Sequence, residues 1–375
     1  MRILHIISSG GMYGAEAVIL NLSRTLNEQG HTSLLGIFSN TSNPNLQLHE
    51  RALAESIESH LIPCRGQIDR AVPASIRALA SATNADLIHA HGYKADVYAY
   101  LAMRKTPTPL VSTCHTWYDD NRLVWLYGVI DRRVLQRYQA VIAVSDEVRQ
   151  RLLDSGVQTN RIRFVRNGID LRPFTNATPS LRHLGPEGAL IVGWVGRLTH
   201  DKGPDLFLRA IAQLRSEFPT ARYLMVGQGP HRPQVEQLIG DLAIGDIVYL
   251  LGQRSDMPAV YASCDLMVSS SRLEGLPMAI LEGMASALPW VAPAVGAIPM
   301  VIRNGQNGIL ISPDNADLLA TNMARMMRAS EERANMGAAG RRLTESEFSA
   351  ARMSEDYLSI YKDVTIQSRN PDAIS

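Results

Sequence analysis

Short apolar runs alternate with longer stretches of helical periodicity along most of the chain. The first run, Ile3-Leu4-His5-Ile6-Ile7, is followed by a helical pattern from Ala15 to Gln29 and by a second run from Thr32 to Phe38. Strand, helix, strand in that rhythm is the sequence signature of a parallel sheet with crossover helices. It continues through Leu87 to His91, Leu110 to His115, Ala140 to Val144 and Ile162 to Val165, enough to complete one doubly wound sheet. From Leu171 to Gly188 the periodicity lapses into turn formers such as Arg172-Pro173-Phe174-Thr175-Asn176, and residues 172–188 read as a linker. A second set of strands follows at Leu190 to Val195, Arg222 to Val226, Ile247 to Leu251, Leu266 to Ser269, Trp290 to Ala292 and Gly308 to Ile311. Beyond Ala316 helical patterns dominate until Lys362, and the polar residues 366–375 are expected to be disordered. The pattern predicts an α/β chain of two domains, residues 1–171 and 189–349.

A chain of 375 residues has room for two cores of ordinary size, in agreement with the two series of strands. Hydrophobic content of 46%, 19% charged residues and a formal charge of +1 give no field that demands a nucleic acid. Cys64, Cys114 and Cys264 are odd in number and lack C-x-x-C spacing, so neither a disulfide framework nor a zinc site is signalled, and a reducing cytoplasm is expected. The first apolar run stops at Ser8-Ser9-Gly10-Gly11, too short for a signal peptide or a spanning helix. Between Asn121 and Tyr138 an apolar stripe (Leu123, Leu126, Tyr127, Ile130, Val134) runs beside Arg122, Arg132, Arg133 and Arg137. Such a helix is either an ordinary solvated one, the commoner case, or one that makes peripheral contact with an anionic membrane surface.

The densest chemistry lies in Ser269-Ser270-Ser271-Arg272-Leu273-Glu274-Gly275-Leu276-Pro277-Met278-Ala279-Ile280-Leu281-Glu282. Pro277 suits a first helical residue, which places Glu274 in the preceding loop and Glu282 within the helix. Unpaired amides and the dipole at such a helix start favour a diphosphate, and a carboxylate farther along accepts sugar hydroxyls. Gly196-Arg197-Leu198, with Lys202 beyond, follows the first strand of the second series, where loops open onto the ligand crevice of a doubly wound sheet. An arginine fork and a lysine point charge there suit phosphate oxygens, against the default of solvated surface cations. Gly10-Gly11 joins a strand to a helix, either to admit a phosphate close to backbone or only to shape the turn, and it is not a G-x-G-x-x-G fingerprint.

Together these segments resemble the E-x7-E signature of retaining glycosyltransferases with the GT-B fold, in particular family four. Glu16, Gln29-Gly30-His31, Val144-Ser145, Asn167-Gly168-Ile169-Asp170, Gly227-Gln228-Gly229-Pro230 and Asn307-Gly308 extend the likeness over nearly the whole chain. The resemblance implies an α/β GT-B architecture of two Rossmann-like domains facing across a cleft, residues 1–171 on the acceptor side and residues 189–349 binding the nucleotide sugar, with a helix near 350–362 crossing back to the first. It implies that Arg197 and Lys202 grip the donor diphosphate, that Glu282 accepts ribose hydroxyls and Glu274 contacts the transferred sugar, and that His115 lies beside that sugar. Gly10, Gly11, Gly196, Gly229, Gly275, Leu276 and Pro277 complete the expected donor site. His91 closes a strand toward the same crevice and is read equally as an acceptor-side residue or a structural one.

Gly283, Ala287 and Met300 depart from the family pattern, which usually has alanine, glycine and a carboxylate-bearing loop there. No Asp-x-Asp pair follows a strand, so neither a metal nor another cofactor is expected. The resulting expectation is a cytoplasmic transferase, possible at the inner face of a membrane, moving a sugar from a UDP- or GDP-type donor to a sugar or lipid-linked acceptor of surface-polysaccharide or glycolipid type. Two rivals are a nucleotide-sugar 2-epimerase, which would need acid–base carboxylates around C2, and a non-catalytic nucleotide-sugar-binding protein. Sequence leaves the oligomeric state open.

Overall fold

The computed structural model describes residues 1–12, 14–40, 44–66, 68–115, 130–275 and 278–369. The chain divides into two compact units, one holding Met1–Gly168 and the chain from Ala350 onward, the other Ile169–Ser349. In the first, β1 (Arg2–Ile7), β2 (Thr32–Asn40), β3 (Ser59–Cys64), β4 (Leu87–His91), β5 (Leu110–Cys114), β6 (Ala140–Ala143) and β7 (Ile162–Phe164) form one sheet in the order β3-β2-β1-β4-β5-β6-β7. Every pairing in it is parallel. The apolar runs are near-continuous because crossover helices cover both faces.

Register gives one face of this sheet an unusual character. His5 pairs with His89, and His91 with Thr113, so these four side chains share a face. The helix Ala350–Arg369 packs on the helix Gly14–Glu28 and brings Tyr357 and Tyr361 onto that face. It runs past the expected end near 362, so residues 366–369 are helical rather than disordered. Tyr357, Tyr361 and Val364 are all buried along one stripe, and that burial carries the helix through a polar sequence.

β3 is the strand that periodicity did not reveal. It lies at the sheet edge and contains Pro63, which is tolerated there because an edge leaves ladder positions unused.

The second unit repeats the plan with β8 (Ile191–Val195), β9 (Arg222–Val226), β10 (Val248–Gly252), β11 (Leu266–Val268), β12 (Trp290–Pro293) and β13 (Gly308–Ile311), again all parallel, in the order β10-β9-β8-β11-β12-β13. The order reverses direction between β8 and β11, as it does between β1 and β4 in the first unit. Such switch points open a crevice at the carboxyl ends of the strands.

The stretch 172–188 is not a free linker. The Ser263 hydroxyl accepts the N–H groups of Ser180 and Leu181 at 3.0 Å each, Arg182 forks onto Asp265 at 2.8 Å through both nitrogens, and Leu181 is buried in the core of the second unit. The boundary falls instead at Gly168–Ile169. Of the amphipathic pattern 121–138, residues 121–129 lie outside the described residues. Its end packs inward, with Val134, Leu135 and Tyr138 in the core of the first unit. Among the described residues no helix is long and apolar enough to cross a membrane.

Two of the departures from the family pattern have local causes. A Cβ on Gly283 would lie 2.7 Å from the Trp290 ring, so the indole takes the space an alanine would fill. Ala287, just past the helix Met278–Ala285, sits at φ 58, the left-handed region where a glycine usually ends a helix. Ala287→Gly is expected to raise the stability of the second unit by about 0.5–1 kcal/mol. Gly283→Ala should lower it by about 1–3 kcal/mol. Both shifts are measurable by denaturant unfolding, and an unchanged midpoint in either variant would contradict the packing described.

Candidate functional site

In the second unit the site begins where β8 ends. Gly196 donates its N–H to the Val226 carbonyl and Leu198 to that of Gln228, both at 3.0 Å, so the loops after β8 and β9 run pressed together. A Cβ on Gly227 would meet the Gly196 carbonyl oxygen at 1.9 Å, and one on Gly229 the Leu198 carbonyl oxygen at 2.4 Å. Gly229 therefore has a structural reason to be glycine, independent of any ligand.

The loop then turns through Lys202 to Gly203, whose φ of 61 only glycine adopts without strain, and Pro204 opens the helix Pro204–Leu214. A Cβ on Gly203 would lie 2.1 Å from the Ser270 carbonyl oxygen. That approach locks the loop after β8 to the loop after β11. Ser270 strengthens the lock by donating to the Gly203 carbonyl at 2.7 Å while accepting from Trp194 Nε1 at 2.9 Å. Arg272 adds a fork onto Asp205, 2.8 Å through each nitrogen, and a bond to Asp314 at 2.7 Å. Those carboxylates raise the pKa of the Arg272 guanidinium further, the Asp205 hydrogen bond contributing most.

The lock brings Lys202 Nζ to 2.7 Å from Glu274 Oε1, with side chains only 19% and 10% exposed. Ser271 donates to the same oxygen at 2.7 Å. The Glu274 carbonyl is itself covered by Gly296, where a Cβ would come within 1.7 Å. Arg197 stands apart and more exposed, 3.7 Å from Asp201. Gly275 follows Glu274 and is exposed, while Leu276 and Pro277 lie outside the described residues.

Glu282, half-buried on the helix Met278–Ala285, accepts the Tyr261 hydroxyl at 2.9 Å. Desolvation pushes its carboxyl up to about 7, with the Tyr261 hydrogen bond acting in the opposite sense. Tyr261 is fully buried against Phe174.

In the first unit, Ser9 Oγ lies 2.8 Å from the Gly11 carbonyl and 3.0 Å from Glu16 Oε1, with one proton to give to either, and these contacts fix the turn carrying Gly10 and Gly11. A side chain on Gly10 would meet nothing within 4 Å. Among the described residues no packing reason demands glycine there.

Beside the turn, His115 Nε2 lies 3.3 Å from His91 Nδ1, and His91 Nε2 lies 2.9 Å from His5 Nδ1. His89 bonds the Tyr361 hydroxyl at 2.7 Å and Thr113 at 2.8 Å. Burial depresses all four imidazoles, His115 to about 4 and His5 to about 3, so the row is neutral near pH 7. Nitrogens of His5, His89 and His91 approach within 4.8 Å of one another, as in a metal site. Both His89 nitrogens are already engaged, however, so a metal would have to displace Tyr361 or Thr113.

Comparison with known proteins bears on both units. Residues 12–172 match the family described as Glycosyltransferase Family 4, and residues 182–343 match Glycosyl transferases group 1. The D-inositol 3-phosphate glycosyltransferase of Salinispora arenicola is 30% identical over 330 residues, covering 79% of this chain and 73% of that protein. The chain is a GT-B glycosyltransferase of family four. The N-acetyl-alpha-D-glucosaminyl L-malate synthase of Bacillus anthracis is 26% identical over 378 residues, spanning 97% of this chain and 96% of that one. Among solved structures, Anabaena HepE in complex with UDP superposes with a TM-score of 0.85 over 97% of this chain and 100% of that chain, at 22% identity, a likeness of fold.

Within this glycosyltransferase the expected residues thus fall into separate groups: Lys202 with Glu274, Glu282 held by Tyr261, Arg197 beside Asp201, and His91 with His115. Sequence reading missed Tyr261, Ser271 and the Arg272–Asp205 clamp, and it left Tyr357 and Tyr361 unremarked. The Ser269-Ser270-Ser271 run at a strand end was the available signal for Ser271. Tyr261 had none, because its role exists only through contact with Glu282.

A carboxyl at about 7 in the folded chain, against 4.5 as its reference, means the folded state holds the proton more tightly. The penalty of ionising it is absent below the reference value and grows as pH rises through about 7. Glu282→Gln, which keeps an acceptor for Tyr261, is expected to match the wild type near pH 4.5 and to exceed it by about 1–3 kcal/mol at pH 8. Parallel stability-versus-pH curves for the two proteins would refute this reading of the pocket.

Proposed function

We propose that this glycosyltransferase transfers a sugar with retention of configuration from a UDP- or GDP-type donor to a hydroxyl acceptor, without a metal ion. The observation that carries the reading is the Lys202–Glu274 pair at 2.7 Å, set at the switch point between β8 and β11 with Arg197 and Glu282 on the same segments. Glu274 occupies the lysine in the structure. An arriving diphosphate competes for that ammonium with more charge and frees Glu274 for hydroxyls of the transferred sugar. Arg197, exposed on a loose contact with Asp201, swings to the same phosphates. Glu282, ionised on binding, accepts the ribose hydroxyls while Tyr261 holds its second oxygen.

In the reaction the bond between anomeric carbon and leaving phosphate oxygen breaks as the acceptor oxygen attacks from the same face. The acceptor's proton passes to that phosphate oxygen. Fixed cations and peptide dipoles then stabilise the charge on the departing diphosphate, the task a metal performs elsewhere. His115, neutral near pH 7, serves as a hydrogen-bonding contact beside the sugar, positioned through His91. HepE was solved with UDP, which supports a uridine donor among the two types. For the acceptor, the sequence expectation is a surface-polysaccharide or glycolipid precursor. The relatives add a narrower class, since their names specify D-inositol 3-phosphate and L-malate.

Lys202→Ala and Arg197→Ala are each expected to slow transfer by about a hundredfold or more, equivalent to ~3 kcal/mol of transition-state stabilisation, with the fold checked by thermal melting. Steady-state assays with UDP- and GDP-sugars, run with and without EDTA, test this. Normal turnover in both variants would remove these cations from the mechanism, and loss of wild-type activity in EDTA would overturn the metal-free reading. Donor converted to an epimer without acceptor would point to epimerisation.

A further inference from the structure

The lysine that suits the donor diphosphate is already held by a carboxylate of the same chain. Lys202 Nζ lies 2.7 Å from Glu274 Oε1, and both side chains are largely withdrawn from water. Arg197 differs: at 3.7 Å from Asp201 and 56% exposed, it makes a loose surface contact that yields readily. Breaking a poorly solvated pair costs far more, because each partner is left with a charge that water does not reach. Glu274 is therefore a real competitor for the lysine.

The backbone under both residues is fixed, so the pair re-forms in one geometry. A Cβ on Gly203, the residue after Lys202, would lie 2.1 Å from the Ser270 carbonyl oxygen, and one on Gly296 would lie 1.7 Å from that of Glu274. The carboxylate has an anchor of its own. Ser271 Oγ donates to Glu274 Oε1 at 2.7 Å and accepts from Ser269 Oγ at 3.3 Å. A carboxylate only accepts, so the Ser271 proton is committed to Glu274. Lys202 and Ser271 thus converge on one oxygen, and among the described residues no hydrogen bond reaches Oε2.

Donor and product make different demands on this pair. The sugar caps the donor's terminal phosphate, and once the sugar has left with the acceptor that phosphate carries one more negative charge. A lysine by itself would hold the product more tightly than the donor. Glu274 opposes that order. With the sugar present, the displaced carboxylate accepts sugar hydroxyls in exchange for the lysine. With the sugar gone it has no such exchange, and it retains only the Ser271 bond it had before.

We infer that Glu274 is a built-in competitor of the product: after transfer it takes Lys202 back and weakens the hold on the nucleoside diphosphate, while Ser271 keeps the carboxylate beside the lysine throughout. The inference rests on the donor reading above.

The test is calorimetric titration of the wild type, Glu274→Gln, Lys202→Met and the double variant with UDP, GDP, UDP-glucose, UDP-N-acetylglucosamine and GDP-mannose. Glutamine keeps the shape and an acceptor for Ser271 and removes the charge that holds the lysine. The nucleoside diphosphate that binds the wild type is expected to bind Glu274→Gln about fivefold or more tightly, since a neutral acceptor holds an ammonium less firmly than a carboxylate does. At least one of its sugar conjugates should show no such gain, and in the Lys202→Met background the gain for the diphosphate should disappear. Equal or weaker diphosphate binding by Glu274→Gln would overturn the proposal. So would an equal gain for every sugar conjugate, or a full gain that persists without the lysine, which is plain repulsion between Glu274 and the ligand. Failure of the wild type to bind either diphosphate would instead sink the donor reading on which the proposal rests.

Discussion

A lysine ammonium and a glutamate carboxylate share a poorly solvated pocket at 2.7 Å, and the site of the second unit is arranged around that contact. Two charges withdrawn from water are tolerable only when their geometry is good and their remaining valences are filled. Ser271 fills one of them. The geometry is set by backbone: the left-handed turn at Gly203 lets the loop after β8 touch the Ser270 carbonyl, and Gly296 lets the loop after β12 touch the Glu274 carbonyl. Three loops thus converge through glycine contacts that a methyl group would break. The Arg272 clamp on Asp205 and Asp314 holds the same junction from outside.

The first unit solves a related problem with neutral groups. Histidines on β1 and β4 face one another across the ladder, and the sheet face they create is too polar for an ordinary apolar helix. The helix Ala350–Arg369 answers with tyrosines whose hydroxyls bond His89 and Thr113. Burial keeps the imidazoles uncharged, so they transmit position through hydrogen bonds and not through charge. A unit assembled from both ends of the chain follows from this, because the covering helix comes from the last residues of the sequence.

These two arrangements differ in what they ask of a ligand. The second unit offers cations already engaged with carboxylates, so a ligand must outcompete them with a denser charge. The first offers a row of neutral imidazoles and a glycine turn where a Cβ on Gly10 would meet nothing within 4 Å among the described residues.

Strand and helix placement was legible from apolar periodicity, since each element repeats its own pattern locally. All six strands of the second sheet could be read that way, whereas Arg197, Lys202, Glu274 and Glu282 were singled out by motif spacing and by a family resemblance. β3 escaped because an edge strand with a proline lacks the buried pattern, and the last residues of the C-terminal helix escaped because their burial depends on a partner face far away in sequence. The stretch 172–188 looked like a linker because turn formers hide the few side chains that dock it. What the sequence determined by itself was therefore the order and type of elements and the identity of the charged groups. Which carboxylate meets which cation, why Glu282 leans on Tyr261, and why three imidazoles line one sheet face with His115 joined to them were decided by strand order and by close backbone approach. Those relations join residues distant in the chain, and no local pattern encodes them.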